Sequence, residues 1–129
     1  MFFRIDPSND LAIYDQVVRQ VKFAVAGDVL RVGELVPSVR ELARELAINP
    51  NTVARAYREL QADQVLEPVR GTGLAVADGA DERCRTERVK LIRDRLGQVL
   101  LEARQSRLGV EEIRSLVQSE LAKVEQEEV

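Results

Sequence analysis

The sequence contains no histidine, no tryptophan and a single cysteine, Cys84, among its 129 residues. Histidine is the commonest general base and the commonest metal ligand near neutral pH, so its absence argues against an enzyme and against a metal site. One cysteine can form neither an internal disulfide nor a cysteine-based metal cluster. We therefore expect no catalytic residues, no metal and no cofactor.

Long apolar runs are absent as well, since no stretch approaches the ~20 apolar residues that cross a bilayer. The first residues, Met1 to Arg4, lack the basic-then-apolar pattern of a signal peptide. Apolar residues make up 45% of the chain and charged residues 32%, which is typical of a folded soluble domain. The length suits one compact domain, or a small domain with an appendage, and we expect a cytoplasmic protein.

The chain also has no excess of positive charge. Its formal net charge is −3 and its isoelectric point is about 5.1. Residues 1–76 hold 9 lysines and arginines against 10 acidic residues, and residues 77–129 hold 10 against 12. If DNA is the partner, the basic residues must be gathered on one face, because phosphate contact depends on local charge and not on total charge.

The first half of the chain shows the spacing of two helices. Apolar residues recur at helical intervals over residues 11–26, and Gly27 is a helix-ending residue. Ser38 and Glu41 have the spacing of a capping box, in which each side chain accepts a hydrogen bond from the other's backbone N–H. The capping box predicts a second helix that runs to about Ala47.

A third helix is predicted from about residue 50 to about residue 63, because Pro50 is tolerated only at a helix start. Two helices joined by a short turn form a helix-turn-helix. On a helical wheel the third helix has an apolar packing face of Val53, Ala56, Tyr57 and Leu60. The opposite face is polar and basic, and it comprises Asn51, Arg55, Arg58 and Ala62, with Thr52 and Glu59 at its edge.

A wing is predicted directly after this helix. Two short apolar stretches, Val65–Pro68 and Leu74–Val76, flank a glycine-rich tip that contains Arg70 and Gly71, which is typical of a β-hairpin. A basic helix face by itself is usually only solvated, but an arginine at the tip of an adjacent hairpin can approach a neighbouring DNA groove. The two features favour DNA binding. The alternative is a winged helix used only for protein contacts, which the acidic isoelectric point supports.

Two further helices are predicted behind a small, acidic segment, Ala77 to Glu82, that is typical of a linker. The apolar residues of both helices have nearly heptad spacing, and Gly109 separates the helices so that they can fold back as a hairpin. A two-helix hairpin buries too little apolar surface on its own, so we expect a homodimer. The residues expected at the dimer interface are Val89, Ile92, Leu96, Val99, Leu100, Val110, Ile113, Val117 and Leu121.

The predicted fold is therefore mainly α with a small β-hairpin: a winged helix-turn-helix followed by a C-terminal two-helix dimerisation element. The predicted domains are a DNA-binding domain at residues 1–76, a linker at 77–84, and a helical dimerisation or effector tail at 85–129. The linker would let the winged domain swivel against the tail.

Several motifs resemble one family of bacterial regulators. The run Gly33–Ala43 resembles the opening signature of the GntR family, and Ile48–Leu60 resembles its YtrA subfamily in particular. Leu11–Gln16 is similar to the family's first helix, and Arg70–Gly73 matches its wing. The resemblance covers about residues 3–76, and the tail resembles the YtrA type by its length and helicity rather than by a motif.

The resemblance implies a dimeric repressor of its own operon, which in this subfamily often contains ABC-transporter genes. Because the two protomers of a dimer are related by a two-fold axis, we expect an inverted-repeat operator. It also implies that Arg40 touches the DNA backbone or bases. Any small-molecule effector would lie at the dimer interface, because a tail of this length is thin for an enclosed pocket. Together with the helical wheel, the resemblance gives a predicted DNA-binding set of Ser38, Arg40, Asn49, Asn51, Thr52, Arg55, Arg58, Arg70 and Gly71.

Four further positions bear on the expected site and backbone. Pro50 and Ala54 stand where some GntR proteins have arginines, so the base contacts of those arginines cannot be transferred. Gln64 stands where the family usually has glycine, and a positive φ there would strain its backbone. Cys84 lies between two arginines that could lower its thiol pKa; an incidental cysteine is the favoured interpretation, and a redox switch is the alternative.

Overall fold

The computed structural model describes residues 4–127, so residues 1–3 and 128–129 of the predicted domains lie outside it. The fold is mainly α with a small β-hairpin, as predicted. It divides into two compact units, one ending at Val89 and one beginning at Lys90. In chain order the elements of the described range are α1 (Ile13–Ala26), α2 (Val39–Leu46), α3 (Pro50–Ala62), β1 (Leu66–Val69), β2 (Gly73–Val76), α4 (Ala80–Gln105) and α5 (Val110–Glu127).

The start of α2 confirms the predicted capping box. The backbone N–H of Glu41 donates to Ser38 Oγ at 3.1 Å, and the backbone N–H of Ser38 donates to Glu41 Oε1 at 3.1 Å. Pro50 is the first residue of α3, as its missing N–H requires. These local signals fix where the two helices of the helix-turn-helix begin.

The core of the winged unit lies between α1, α2 and α3, because α3 packs against both of the other helices. Each helix contributes apolar residues at helical spacing, which removes their surface from water at roughly 25 cal/mol per Å². The largest fully buried side chains are Leu42, Leu60, Leu66, Val17, Val21, Val25, Val53, Val65, Val76 and Cys84.

The wing is a two-stranded antiparallel sheet in which β1 pairs with β2, from Leu66 opposite Val76 to Val69 opposite Gly73. A β-bridge between Leu35 and Ala75, with backbone hydrogen bonds on either side of it, joins this hairpin to the segment that leads into α2. The wing is therefore attached to the helix-turn-helix at its base, while its tip is exposed.

The expected linker at 77–84 is wrong as a description of this segment, because α4 already begins at Ala80. Ala80 and Cys84 are fully buried in the core of the winged unit, and the backbone N–H of Ala77 donates to the carbonyl of Val65 at 2.9 Å. Of residues 77–84, only 77–79 lie outside strands and helices. One face of this segment has small apolar side chains, so the segment packs against the core. It does not form the flexible connection on which the expected swivel depends.

The expected helical hairpin in the tail encloses no apolar core. In the described residues, α5 has no buried residue, and the buried residues of α4 are Ala80 and Cys84 in its first turns. The physical reason is the one that predicted dimerisation, since two helices alone bury too little apolar surface to stabilise a hairpin. Over residues 4–127, no helix combines the length and the hydropathy needed to span a membrane.

Candidate nucleic-acid interface

Helix α3 presents one packed face and one open face, as the helical wheel predicted. Val53, Ala56 and Leu60 are fully buried and Tyr57 is nearly so. On the other side Asn51, Arg55 and Arg58 are exposed, whereas Thr52 and Glu59 are half-buried at the edge. Polar and basic side chains of a helix that is itself held by the core are positioned to meet a DNA groove.

The N-terminus of α3 combines a helix cap with exposed donors. Asn49 Oδ1 accepts a 2.8 Å hydrogen bond from the backbone N–H of Asn51, so the Asn49 side chain caps the helix. An amide side chain has donor and acceptor groups at once, so the cap uses the oxygen and leaves the exposed NH₂ group as a donor. The positive end of the helix dipole at the same place favours a phosphate.

Arg55 does not extend freely from α3. Its guanidinium carbon lies 3.7 Å from the centroid of the Tyr14 ring on α1. Tyr14 packs against the core, and its ring also supports the arginine. A guanidinium stacked on a ring still has its in-plane N–H donors directed outward. Sequence reasoning missed this contact because no local spacing relates residues on two different helices.

The exposed arginines of α2 lie beside the start of α3. Arg40 and Arg44 line one shallow depression together with Ile48 and Pro50. The structure thus brings the predicted contact residue Arg40 next to the predicted recognition helix. Arg44 was not predicted, although its exposure one turn after Arg40 is a signal that the helical wheel of α2 contains.

The wing lies beside the start of α2. Gly71 and Gly73 have φ values of 78° and 119°, which favour glycine, and Arg70 is exposed beside them at the tip. A cleft of about 600 Å³ separates the wing from the start of α2, and Ser38 and Thr72 both line it. Of the predicted DNA-binding residues of α2 and the wing, Ser38 lines this cleft, whereas Arg40, Arg70 and Gly71 do not.

The predicted dimerisation residues are spread along α4 and α5 and are exposed, except for Leu100 and Ile113, which are half-buried. For example, Leu96 is 51% exposed and Leu121 is 55% exposed. Sequence analysis missed Leu101 and Leu116, which are as exposed as the others but lie off the heptad spacing.

The structure decides the interpretation of Gln64 and Cys84. Gln64 has a φ of 61°, so the expected backbone strain is present. Burial, and then the charge of Glu87, raise the pKa of the Cys84 thiol, whereas Lys22 and Arg83 oppose this more weakly. The redox-switch alternative, which depends on a lowered pKa, is therefore not supported, and the favoured interpretation as an incidental cysteine agrees with the structure. A fully buried thiol with a raised pKa is a poor nucleophile, so Cys84 is a core residue.

Across residues 4–127, no group of acidic or cysteine side chains is placed to hold a metal ion.

Comparison with known proteins agrees with this geometry. Residues 13–76 match the family described as bacterial regulatory proteins, gntR family. The chain is 32% identical to the HTH-type transcriptional repressor YtrA of Bacillus subtilis (strain 168) over 110 residues, which is 85% of each chain. This alignment is longer than the match to the family, so it extends beyond the winged helix-turn-helix.

Two solved structures share the fold. One is a transcriptional antiterminator from Listeria monocytogenes EGD-e, with 33% identity and a TM-score of 0.68 over 92% of this chain and 89% of that chain. The other is a GntR family transcriptional regulator from Listeria monocytogenes, with 30% identity and a TM-score of 0.67 over 89% and 98%. Regulators of this kind are not enzymes, and their shared activity decides against a winged helix used only for protein contacts. The chain belongs to the GntR family and is a DNA-binding transcriptional regulator, similar to the YtrA repressor.

Proposed function

We propose that this regulator is a homodimeric repressor that acts in the cytoplasm on an inverted-repeat operator in the promoter of its own operon. The observation that supports the dimer is the row of exposed apolar side chains on α4 and α5, such as Leu96 and Leu121. Exposed apolar surface of this extent on two adjacent helices is typical of a protein–protein interface. A second copy of the chain supplies a matching apolar surface through two-fold symmetry.

Base readout is assigned to the open face of α3. Asn51 and Thr52 lie in its first turn and offer short donors and acceptors to base edges, while Arg55 can bind guanine in a bidentate manner. The exposed arginines Arg40, Arg58 and Arg70 would neutralise phosphates or enter the minor groove, which supplies affinity without sequence information. Ser38, Asn49 and Gly71 would add contacts at the helix starts and the wing tip.

The symmetry of the proposed dimer determines the symmetry of the operator. Two copies of α3 related by a two-fold axis must meet equivalent base edges, so the two half-sites must form an inverted repeat. Their centres would lie about 10 base pairs apart if both helices enter the same side of the duplex. Binding across a promoter represses transcription by excluding the polymerase, and an effector at the dimer interface would act by changing the separation of the two winged units.

Selection from random DNA, combined with analytical ultracentrifugation of the full chain, tests this proposal. We expect an inverted repeat bound by two protomers. Leu96→Arg places a charge in the apolar row of α4 and should give monomers that bind the repeat at least tenfold more weakly, since each 1.4 kcal/mol of lost dimer contact is tenfold.

Gln98→Arg adds the same charge at another exposed position of α4 and is the matched control. An asymmetric site bound by one protomer would contradict the proposal, as would a wild-type chain that sediments as a monomer at micromolar concentration.

A further inference from the structure

One buried ammonium group joins three helical elements of the winged unit. Lys22 Nζ, on the last turns of α1, lies 2.8 Å from Asp63 Oδ2, at the C-terminal cap of α3, and 2.8 Å from Glu87 Oε1 on α4. The Lys22 side chain is only 5% exposed, whereas those of Asp63 and Glu87 are 42% and 37% exposed. The charge is therefore held inside the fold by two carboxylates that reach it from different elements.

The balance of the surroundings keeps Lys22 protonated. Burial lowers the pKa of this ammonium, but the hydrogen bonds and charges of Asp63 and Glu87 outweigh burial and raise the pKa overall. Removing one partner of a buried ion pair is costly, because the remaining charge stays desolvated without compensation. Lys22, Asp63 and Glu87 consequently act as one unit, which we call the Lys22 cluster.

Two arginines of α4 attach the same segment to the C-terminal ends of α1 and α3. Arg85 Nε donates to the carbonyl of Ala26, the last residue of α1, at 3.2 Å. An Arg83 Nη2 group donates to the carbonyl of Gln64, just after α3, and to that of Asp78. Carbonyl groups at helix C-termini have a partial negative charge that favours cations.

Packing reinforces these polar contacts. Ala80, Cys84 and Glu87 have the spacing of one helix face, and the first two are fully buried. The first two turns of α4 are thus fixed to the winged unit by core packing, by two capping arginines and by the Lys22 cluster.

We propose that Lys22 is a positioning residue for operator binding, which holds the first turns of α4 against α1 and α3 and thereby sets the half-site spacing that the dimer accepts. The inference rests on the proposed dimer on an inverted repeat. Lys22 itself touches no DNA, because its side chain is buried between α1, α3 and α4. Its contribution is indirect. α3 would carry the base contacts and α4 the dimer contacts, and Lys22 joins the end of α3 to the start of α4.

The test measures affinity of the full-length protein for duplexes with identical half-sites and spacers that differ by single base pairs. Wild-type protein should prefer one spacer. Lys22→Met should weaken that discrimination by roughly tenfold, a size typical of coupling within one charge network, and should leave binding to a duplex with one half-site unchanged. Glu87→Gln keeps the shape of the side chain and should shift the spacer profile in the same direction, and Lys22→Arg should restore it in part.

Lys123→Met is the matched control, because it removes a lysine from an exposed ion pair with Glu120 that contributes little. An equal loss of affinity at every spacer and at the single half-site would show a merely structural role and overturn the inference. If Lys22→Met does not fold, the spacer profile of Glu87→Gln decides in the same way. A wild-type protein without any spacer preference would overturn the proposed dimer on an inverted repeat and this inference with it, whereas an unchanged profile in the variants would overturn only the role of Lys22.

Discussion

The phenol oxygen of Tyr57, on α3, donates a 2.7 Å hydrogen bond to the carbonyl oxygen of Pro37, the residue just before the α2 cap. The two helices of the helix-turn-helix are therefore joined by a side-chain bond as well as by packing. Burial raises the pKa of the Tyr57 phenol above its usual value of 10.0, and the charges of Glu41 and Glu45 add to this. The phenol is consequently a donor over the whole physiological pH range.

Tyr57→Phe should lower the free energy of unfolding by about 1–2 kcal/mol, because it leaves a partly buried carbonyl without its donor. The folded pKa lies above the unfolded one, so the contribution is complete below pH 10 and is lost as pH rises further. Urea unfolding at pH 7 and at pH 10.5 should thus show a smaller difference between variant and wild type at the higher pH. Tyr14→Phe is the control, and an effect of equal size there would contradict the assignment.

The capping box of α2 should make the winged unit sensitive to acid. Hydrogen bonds from the backbone and side chain of Ser38 lower the pKa of Glu41 below its usual 4.5. Its stabilising contribution is therefore present above pH 4.5 and is lost as pH falls through the lowered value. Glu41→Gln keeps an acceptor that does not titrate, so the variant should lose less stability than wild type between pH 5 and pH 3 in thermal unfolding. Parallel curves would exclude this role.

The ring of Tyr14 should matter for DNA binding through Arg55. Tyr14→Leu removes the surface on which the guanidinium lies and should weaken operator binding about two- to fivefold, the size of a cation–π contact of about 0.5–1 kcal/mol. Tyr14→Phe keeps the ring and should bind almost as wild type does. The salt dependence should be the same for all three proteins, because Tyr14 neutralises no phosphate; equal losses in the two variants would assign the effect to the hydroxyl group instead.

The features that sequence analysis predicted correctly depend on local chemistry. The capping box at Ser38, Pro50 at the start of α3 and the glycine-rich wing each involve residues within a few positions of one another. The start of α4 also has a local signal that argues against a linker. Asp81 and Glu82 lie in its first turn, where acidic residues favour a helix.

The remaining features are non-local and could not be read from spacing. Lys22 and Asp63 are 41 positions apart in sequence, and Lys22 and Glu87 are 65 apart. Only the tertiary packing of α1, α3 and α4 brings them together. The same holds for the stacking of Arg55 on Tyr14, since a helical wheel sorts the residues of one helix but does not say what the next helix places against them.

Substitutions of Arg55 and of Arg40 should have different effects on DNA binding, because Arg55 is assigned to base readout and Arg40 to phosphate contact. Arg55→Ala should cost about 1–3 kcal/mol of operator affinity and relax specificity at one base position. Arg40→Ala should weaken binding to all sequences similarly and reduce the slope of affinity against salt by about one unit. Competition binding against operator variants over a salt series distinguishes the two, and if neither substitution changes binding, the open face of α3 and the start of α2 are not the interface.

The stability of truncated fragments should reveal where the winged unit ends. A cut after Asp78, at the predicted linker, removes the buried residues Ala80 and Cys84 and leaves Lys22 without Glu87. A cut after Val89 keeps all three. We expect the longer fragment to be a folded monomer and the shorter one to be less stable by about 2–5 kcal/mol, since it loses core packing and one partner of a buried charge. Urea unfolding followed by circular dichroism compares the two fragments. Equal midpoints would mean that the first turns of α4 contribute nothing to the winged unit, whereas loss of folding in both would place the boundary still further along the chain.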